Sequence, residues 1–213
     1  MGKADPSEVA RRLLTVAGTT YAAAAGIRLK DSPQPLFQLV MLCSLMGKPI
    51  SAEIAVAAAQ ELFALGLRSP QRVLAADRAD MINAFGRAHY VRYDESTASR
   101  LPEMARLAMD NYRGDLRRLA ADSNRETASA KRLLKEFKGI GDTGADIFLR
   151  EVQDVWTWVR PYFDTKALAS ARKLGLPTDT DELAALAPRA NARLAAALIR
   201  ASLHDDVRRQ VTG

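Results

Sequence analysis

Phe137-Lys138-Gly139-Ile140-Gly141-Asp142-Thr143-Gly144-Ala145, with Phe163-Asp164-Thr165 further on, carries more information about the fold than any other part of the chain. Leu133, Leu134 and Phe137 precede two glycines that flank a single apolar residue, and Ala145, Ile147, Phe148 and Leu149 follow them. This order predicts a helix, a tight hairpin and a second helix. Glycine tolerates the positive φ that such a turn demands and lets the backbone approach a partner, while Ile140 can plug the gap between the two helices. The amides that open the second helix have no intrahelical partner and sit at the positive end of its dipole, which suits them to a phosphate. Between Arg113 and Lys138 there are eight Lys/Arg against four Asp/Glu. On these residues alone, an ordinary turn between packed helices is an equal reading.

The downstream blocks change that balance. The chain resembles the helix-hairpin-helix DNA glycosylase superfamily, the endonuclease III-like proteins. That family has a hairpin of the form Leu-Pro-Gly-Val-Gly-x-Lys-Thr-Ala, later Val-Asp-Thr-His, then Arg-Leu-Gly-Leu. The counterparts are residues 137–145, then Phe163-Asp164-Thr165-Lys166, then Lys173-Leu174-Gly175-Leu176. Upstream, Pro35 to Ser44 looks like the first barrel helix of the family, and Ser69-Pro70 to Phe85-Gly86 like its next helices. The resemblance covers about residues 33 to 176. It implies an all-α, two-lobed fold: a six-helix barrel lobe at 33–154, holding the helix-hairpin-helix at about 126–153, and a second helical lobe of 1–32 with 155–213. The DNA-binding cleft of the family lies between its lobes.

Asp164 matches the catalytic aspartate of the family. Loss of a base develops positive charge on the deoxyribose, and a carboxylate beside it stabilises that state and can orient or deprotonate the attacking water. At an effective dielectric of about 20 and a separation of about 4 Å, one such contact amounts to roughly 4 kcal/mol, about three decades in rate. An Asp before Thr165 is equally suited to cap the following helix. Bifunctional relatives have a lysine where Thr143 stands, and its amine forms a Schiff base with the sugar. A threonine hydroxyl cannot do this, so the expected activity is monofunctional, unless Lys138 or Lys166 substitutes.

The same resemblance assigns DNA contacts to Lys138, Gly139, Ile140, Gly141, Asp142, Thr143, Gly144 and Lys166. It also implies a monovalent cation, K⁺ or Na⁺, on the backbone carbonyls of Lys135, Phe137 and Ile140, and no required cofactor. Flipping a nucleotide out of the duplex costs a few kcal/mol and calls for a wedge. Met46, after Ser44, stands where the family usually has glutamine, although it also suits core packing. His89 and Tyr90, within a basic and aromatic group after Gly86, are candidates for base or strand recognition, or for an interlobe patch. Tyr162 closes the densest aromatic segment, Trp156 to Phe163, and is the ring there to test for stacking on an extruded base.

Composition agrees with a folded, DNA-binding protein. The 213 residues are 48% apolar and 26% charged, with a net charge of +6 that favours a polyanionic partner. No run of 18 apolar residues occurs, and Met1 to Pro6 lacks the layout of a secretory leader, so a cytoplasmic monomer is expected, nucleoid-associated in a bacterium. The single cysteine, Cys43, excludes an intramolecular disulfide and the four-cysteine iron–sulfur cluster that many relatives carry. In the run Leu39 to Leu42, Cys43 reads as a buried inert thiol.

Helical periodicity dominates the chain. Helices are expected at Ser7–Ala25, Leu36–Met46, Ser51–Leu65, from Ser69-Pro70, and at Arg78–Phe85, Glu95–Tyr112, Asp115–Ala121, Arg125–Glu136, Asp142–Gln153, Thr165–Leu174, Asp181–Leu186 and Pro188–Asp205. The expected partner is double-stranded DNA with a damaged or mispaired base. The alternatives are a non-catalytic helix-hairpin-helix DNA-binding protein and an all-α interaction scaffold.

Overall fold

The computed structural model describes residues 5–212, so the reading of Met1–Ala4 lies outside the described residues. The chain is all-α. In order, the helices are α1 (Pro6–Ala17), α2 (Tyr21–Ala24), α3 (Pro33–Met46), α4 (Ala52–Ala64), α5 (Pro70–Leu74), α6 (Arg78–Arg87), α7 (Asp94–Tyr112), α8 (Arg117–Asp122), α9 (Thr127–Leu134), α10 (Asp142–Val152), α11 (Thr165–Lys173), α12 (Thr180–Ala185), α13 (Asn191–Leu203) and α14 (Asp205–Thr212). A 3₁₀ turn, Thr157–Val159, lies between α10 and α11.

Helix starts follow local chemistry. Ser51 accepts a hydrogen bond from the Ile54 amide, Ser69 from Arg72, Asp77 from Ala79, Asp164 from Ala167, and Asp179 from both Asp181 and Glu182. Each side chain satisfies a donor that the first turn of a helix leaves orphaned.

Two expected helices differ. The stretch 7–25 is broken at Gly18, where a Cβ would stand 2.3 Å from the Leu14 carbonyl oxygen. The carbonyls freed there are taken by arginines far along the chain. Arg193 Nε donates to Gly18 at 2.9 Å, and Arg200 donates to Ala17 at 3.1 Å and to Thr19. Arg200 also lies 4.3 Å from the centre of the Tyr21 ring. The stretch 188–205 starts only at Asn191, whose side-chain amide donates back to the carbonyls of Ala184 and Ala187. Beyond His204 the chain turns into α14, a helix absent from the sequence reading.

The backbone divides into two compact units, one of residues up to Tyr21 together with those from Leu149 on, the other Ala22–Phe148. The sequence resemblance puts the divisions near 33 and 155. Gln60 Nε2 donates to the Ala24 carbonyl at 2.8 Å, which ties the segment after Tyr21 to α4. Glu151, 1% exposed, accepts the Tyr21 amide, which ties the end of α10 to the residues after α1.

In the Ala22–Phe148 unit, α3 is the core: every residue from Leu36 to Leu45 is buried. A helix apolar on all sides must be surrounded. In the other unit α13 has that role, with Leu194 to Ile199 buried and α1, α11 and α14 packed against it.

Candidate nucleic-acid interface and carboxylate site

The hairpin forms from its residues as the spacing predicts. Phe137, fully buried, stacks on Tyr112 with 5.9 Å between ring centres. Gly139 then takes a φ of 96°, and the Ile140 amide donates to the Phe137 carbonyl at 2.9 Å, closing the turn. Ile140 is buried. Its side-chain carbons lie 3.4 Å from where a Cβ on Gly144 would stand, and the Cys43 carbonyl oxygen lies 3.3 Å from that point. Gly47 meets the same place from the end of α3: a Cβ on it would stand 3.7 Å from the Gly144 backbone. The two glycines let α10 lie backbone-close against α3. Gly141, Asp142 and Thr143 are exposed, so the opening amides of α10 face solvent.

Charges around the hairpin are more committed than their count suggests. Lys131 pairs with Asp146 and, one turn on, Lys135 pairs with Asp142 at 2.8 Å, so two rungs join α9 to α10. The Lys135 ammonium holds the Asp142 carboxyl below its ordinary range. Lys138 faces Glu103 at 3.6 Å and Arg117 binds Asp115 at 2.6 Å. Half of the eight cations between Arg113 and Lys138 therefore have an acid partner. Of the carbonyls proposed for a monovalent cation on Lys135, Phe137 and Ile140, that of Phe137 already accepts the Ile140 amide. Thr143 is an exposed side chain in the first turn of α10.

Asp164 stands at the start of α11. One carboxylate oxygen accepts the Ala167 amide at 2.8 Å and the other accepts the Arg150 guanidinium. The pair is deeply placed, with 5% of the Arg150 side chain and 9% of the Asp164 side chain exposed. Arg150 Nε is buried without a hydrogen-bond partner. Beside it, the fully buried Gln153 receives the Tyr162 amide on its oxygen at 2.9 Å and donates to the carbonyls of Tyr162 and Arg150, each at 3.0 Å. Gln153 thus clamps the aromatic loop to the end of α10 and fixes the approach to Asp164. Lys166, two residues on, is exposed.

The remaining candidates separate. Met46 is the last residue of α3, half-buried, so the helix runs past Ser44 and the loop begins at Gly47. Tyr90 belongs to the core: it is fully buried, packs on Phe85 and donates to the Leu45 carbonyl at 3.4 Å. Burial pushes its phenol up to about 12. His89 is exposed, with a φ of 58° that swings the chain out of α6. Tyr162 is half-buried, its backbone held by Gln153. Arg150 and Gln153 escaped the sequence reading. Their one signal is a polar triplet, Arg150-Glu151 and Gln153 around Val152, on a helix that is otherwise apolar at its buried positions.

Compared with protein-family models, curated proteins and solved structures, the chain matches none.

Proposed function

We infer that this protein is a DNA-binding helix-hairpin-helix protein of the two-lobed glycosylase kind, with a six-helix barrel lobe. In this reading it removes an altered or mispaired base by hydrolysis and leaves the abasic strand intact. The observation that carries this is the turn at Gly139, with Ile140 buried behind it and the amides of Gly141 to Thr143 open to solvent. It is the geometry a phosphate-binding hairpin requires. Asp164, capping α11 in the block Phe163-Asp164-Thr165-Lys166, supplies the carboxylate. A carboxylate has about four acceptor sites, and the Ala167 amide and Arg150 occupy two of them. A free lone pair remains to accept a proton from water as the water oxygen bonds to the sugar carbon and the base departs with the electrons of the glycosidic bond. Thr143 provides no amine for a Schiff base, hence no strand cleavage.

A second reading has a specific observation behind it. The Arg150 guanidinium offsets the negative charge of Asp164, which weakens its attraction to a developing sugar cation. In a non-catalytic DNA-binding protein that ion pair would be purely architectural.

The deciding experiment is excision from a panel of labelled duplexes by wild type and Asp164→Asn, with and without hot alkali. Duplex binding and circular dichroism of the variant verify that it folds. Breaks that appear only after alkali and vanish in the folded variant support hydrolytic excision. Breaks without alkali overturn the monofunctional reading. Salt-sensitive binding without excision on any duplex favours the non-catalytic protein.

A further inference from the structure

Three cations converge where the end of α3 meets α7 and the hairpin. A narrow cleft with interior space of only about 10 Å³, room for no more than one water, is lined by Ser44, Lys48, Thr97, Arg100, Lys138 and Gly139 over an apolar floor that includes Leu101 and Met104, so an anion would sit at its mouth, between the cations. Gly139 roofs it closely: a Cβ there would stand 3.8 Å from Arg100 Cδ and 4.0 Å from the Ser44 Cβ. The cleft therefore adjoins the turn whose amides face solvent. Glu103, which faces Lys138, is the acid beside it. Lys48 and Arg100, both half-buried, make no salt bridge to an acid among the described residues.

Like charges do not gather in a partly dehydrated cleft without cost. Burial and the neighbouring Arg100 both hold the Lys48 ammonium below its ordinary pKa. Such an arrangement destabilises the protein by itself and is relieved by an anion. A tetrahedral anion at the mouth suits the two donors: an ammonium with three N–H groups and a guanidinium that offers a planar fork. The Ser44 hydroxyl is already donated to the Met41 carbonyl at 2.7 Å, so Ser44 shapes the wall and does not donate.

We propose that Lys48 and Arg100, with Lys138 at the rim, form a binding site for a backbone phosphodiester of DNA, adjoining the one at the hairpin. The proposal rests on the DNA-binding reading and adds two phosphate contacts that the hairpin motif does not contain. Contacts of this kind position the duplex and carry no sequence preference.

The test is duplex affinity against salt for wild type, for Lys48→Gln/Arg100→Gln, and for Arg11→Gln/Arg12→Gln on α1 as a control that removes the same charge elsewhere. Each lost phosphate contact lowers the slope of log affinity against log salt by about 0.9. The cleft variant is expected to lose about 2 from the slope, so its affinity falls roughly tenfold less between 50 and 200 mM salt, while the control keeps the wild-type slope. Melting temperature checks folding; relief of the Lys48–Arg100 repulsion is expected to leave it unchanged or raised. Inorganic phosphate is titrated separately by thermal shift.

Wild-type binding with an unchanged slope in the folded cleft variant overturns the proposal and leaves the hairpin reading standing. Equal slope loss in cleft variant and control also overturns it, because bulk charge then suffices. A phosphate-induced shift that needs Lys48 and Arg100 without any change in duplex slope assigns the cleft to a free anion instead. No salt-sensitive duplex binding by wild type removes both readings together.

Discussion

The ion pairs of α10 are of two kinds. At its start, Asp142 and Asp146 reach back to Lys135 and Lys131; the Lys131–Asp146 pair is half-buried, whereas Asp142 is largely in water, with 70% of its side chain exposed. Near its end, Arg150 and Asp164 are largely buried, Asp164 keeping 9% of its side chain open, and Arg150 Nε has no hydrogen-bond partner. Exposed pairs exchange easily for water or for a phosphate, and contribute little. A buried pair is hard to break, since removal of either member strands the other charge in a poor solvent. The hairpin end is thus free to meet a partner, whereas the carboxylate end is held in one geometry.

Replacing Arg150 by Met is the severest way to break this contrast. It leaves Asp164 without its cation, and urea denaturation is expected to show a loss of about 3–5 kcal/mol. A loss under 1 kcal/mol would mean that the pair exchanges as easily as an exposed one and that the two ends of α10 are alike.

Alkali probes the Ala22–Phe148 unit through two buried phenols. Tyr90 and Tyr112 have their phenols pushed up to about 12, chiefly by burial, from an ordinary value of 10.0. The folded unit keeps these protons while the unfolded chain releases them, so stability is full below about pH 10 and falls as pH rises toward 12. In Tyr90→Phe the decline measured by urea denaturation between pH 9 and 12 should be about half as steep. An unchanged decline would place the sensitivity elsewhere.

Gly139→Ala tests the turn. The added Cβ meets only ordinary contacts at 3.8 and 4.0 Å, so the cost arises from a φ of 96° and is expected to be about 1–2 kcal/mol. Duplex binding should weaken with it. The smallest effect is expected for Lys135→Met, which removes the exposed rung to Asp142 at about 1 kcal/mol or less. If it proved as costly as Arg150→Met, the contrast along α10 would collapse.

Sequence reading succeeded where the cause is local. Ser51, Ser69 and Asp164 cap helices through amides three residues away, and Gly139 turns the chain because of its own missing side chain. It stumbled where the cause is distant. The stretch 7–25 has helical periodicity throughout, yet it breaks at Gly18, where arginines about 180 positions later receive its carbonyls. Tyr90, grouped by composition with Arg87 and Arg92, turned inward because the Leu45 carbonyl and the Phe85 ring await it.

By itself, then, the sequence determined that the chain is helical, where most helices begin, that Cys43 is buried, and that a glycine turn joins α9 to α10. These depend on side chains acting on their own backbone, or on an apolar run with nowhere to go but inside. Only the tertiary structure decided that Arg150 would meet Asp164, that Gln153 would clamp the aromatic loop, and that Lys48 and Arg100 would share a cleft under Gly139. Such pairings join residues that are unremarkable in their own segments, and burial gives them their energy, which a sequence window does not contain.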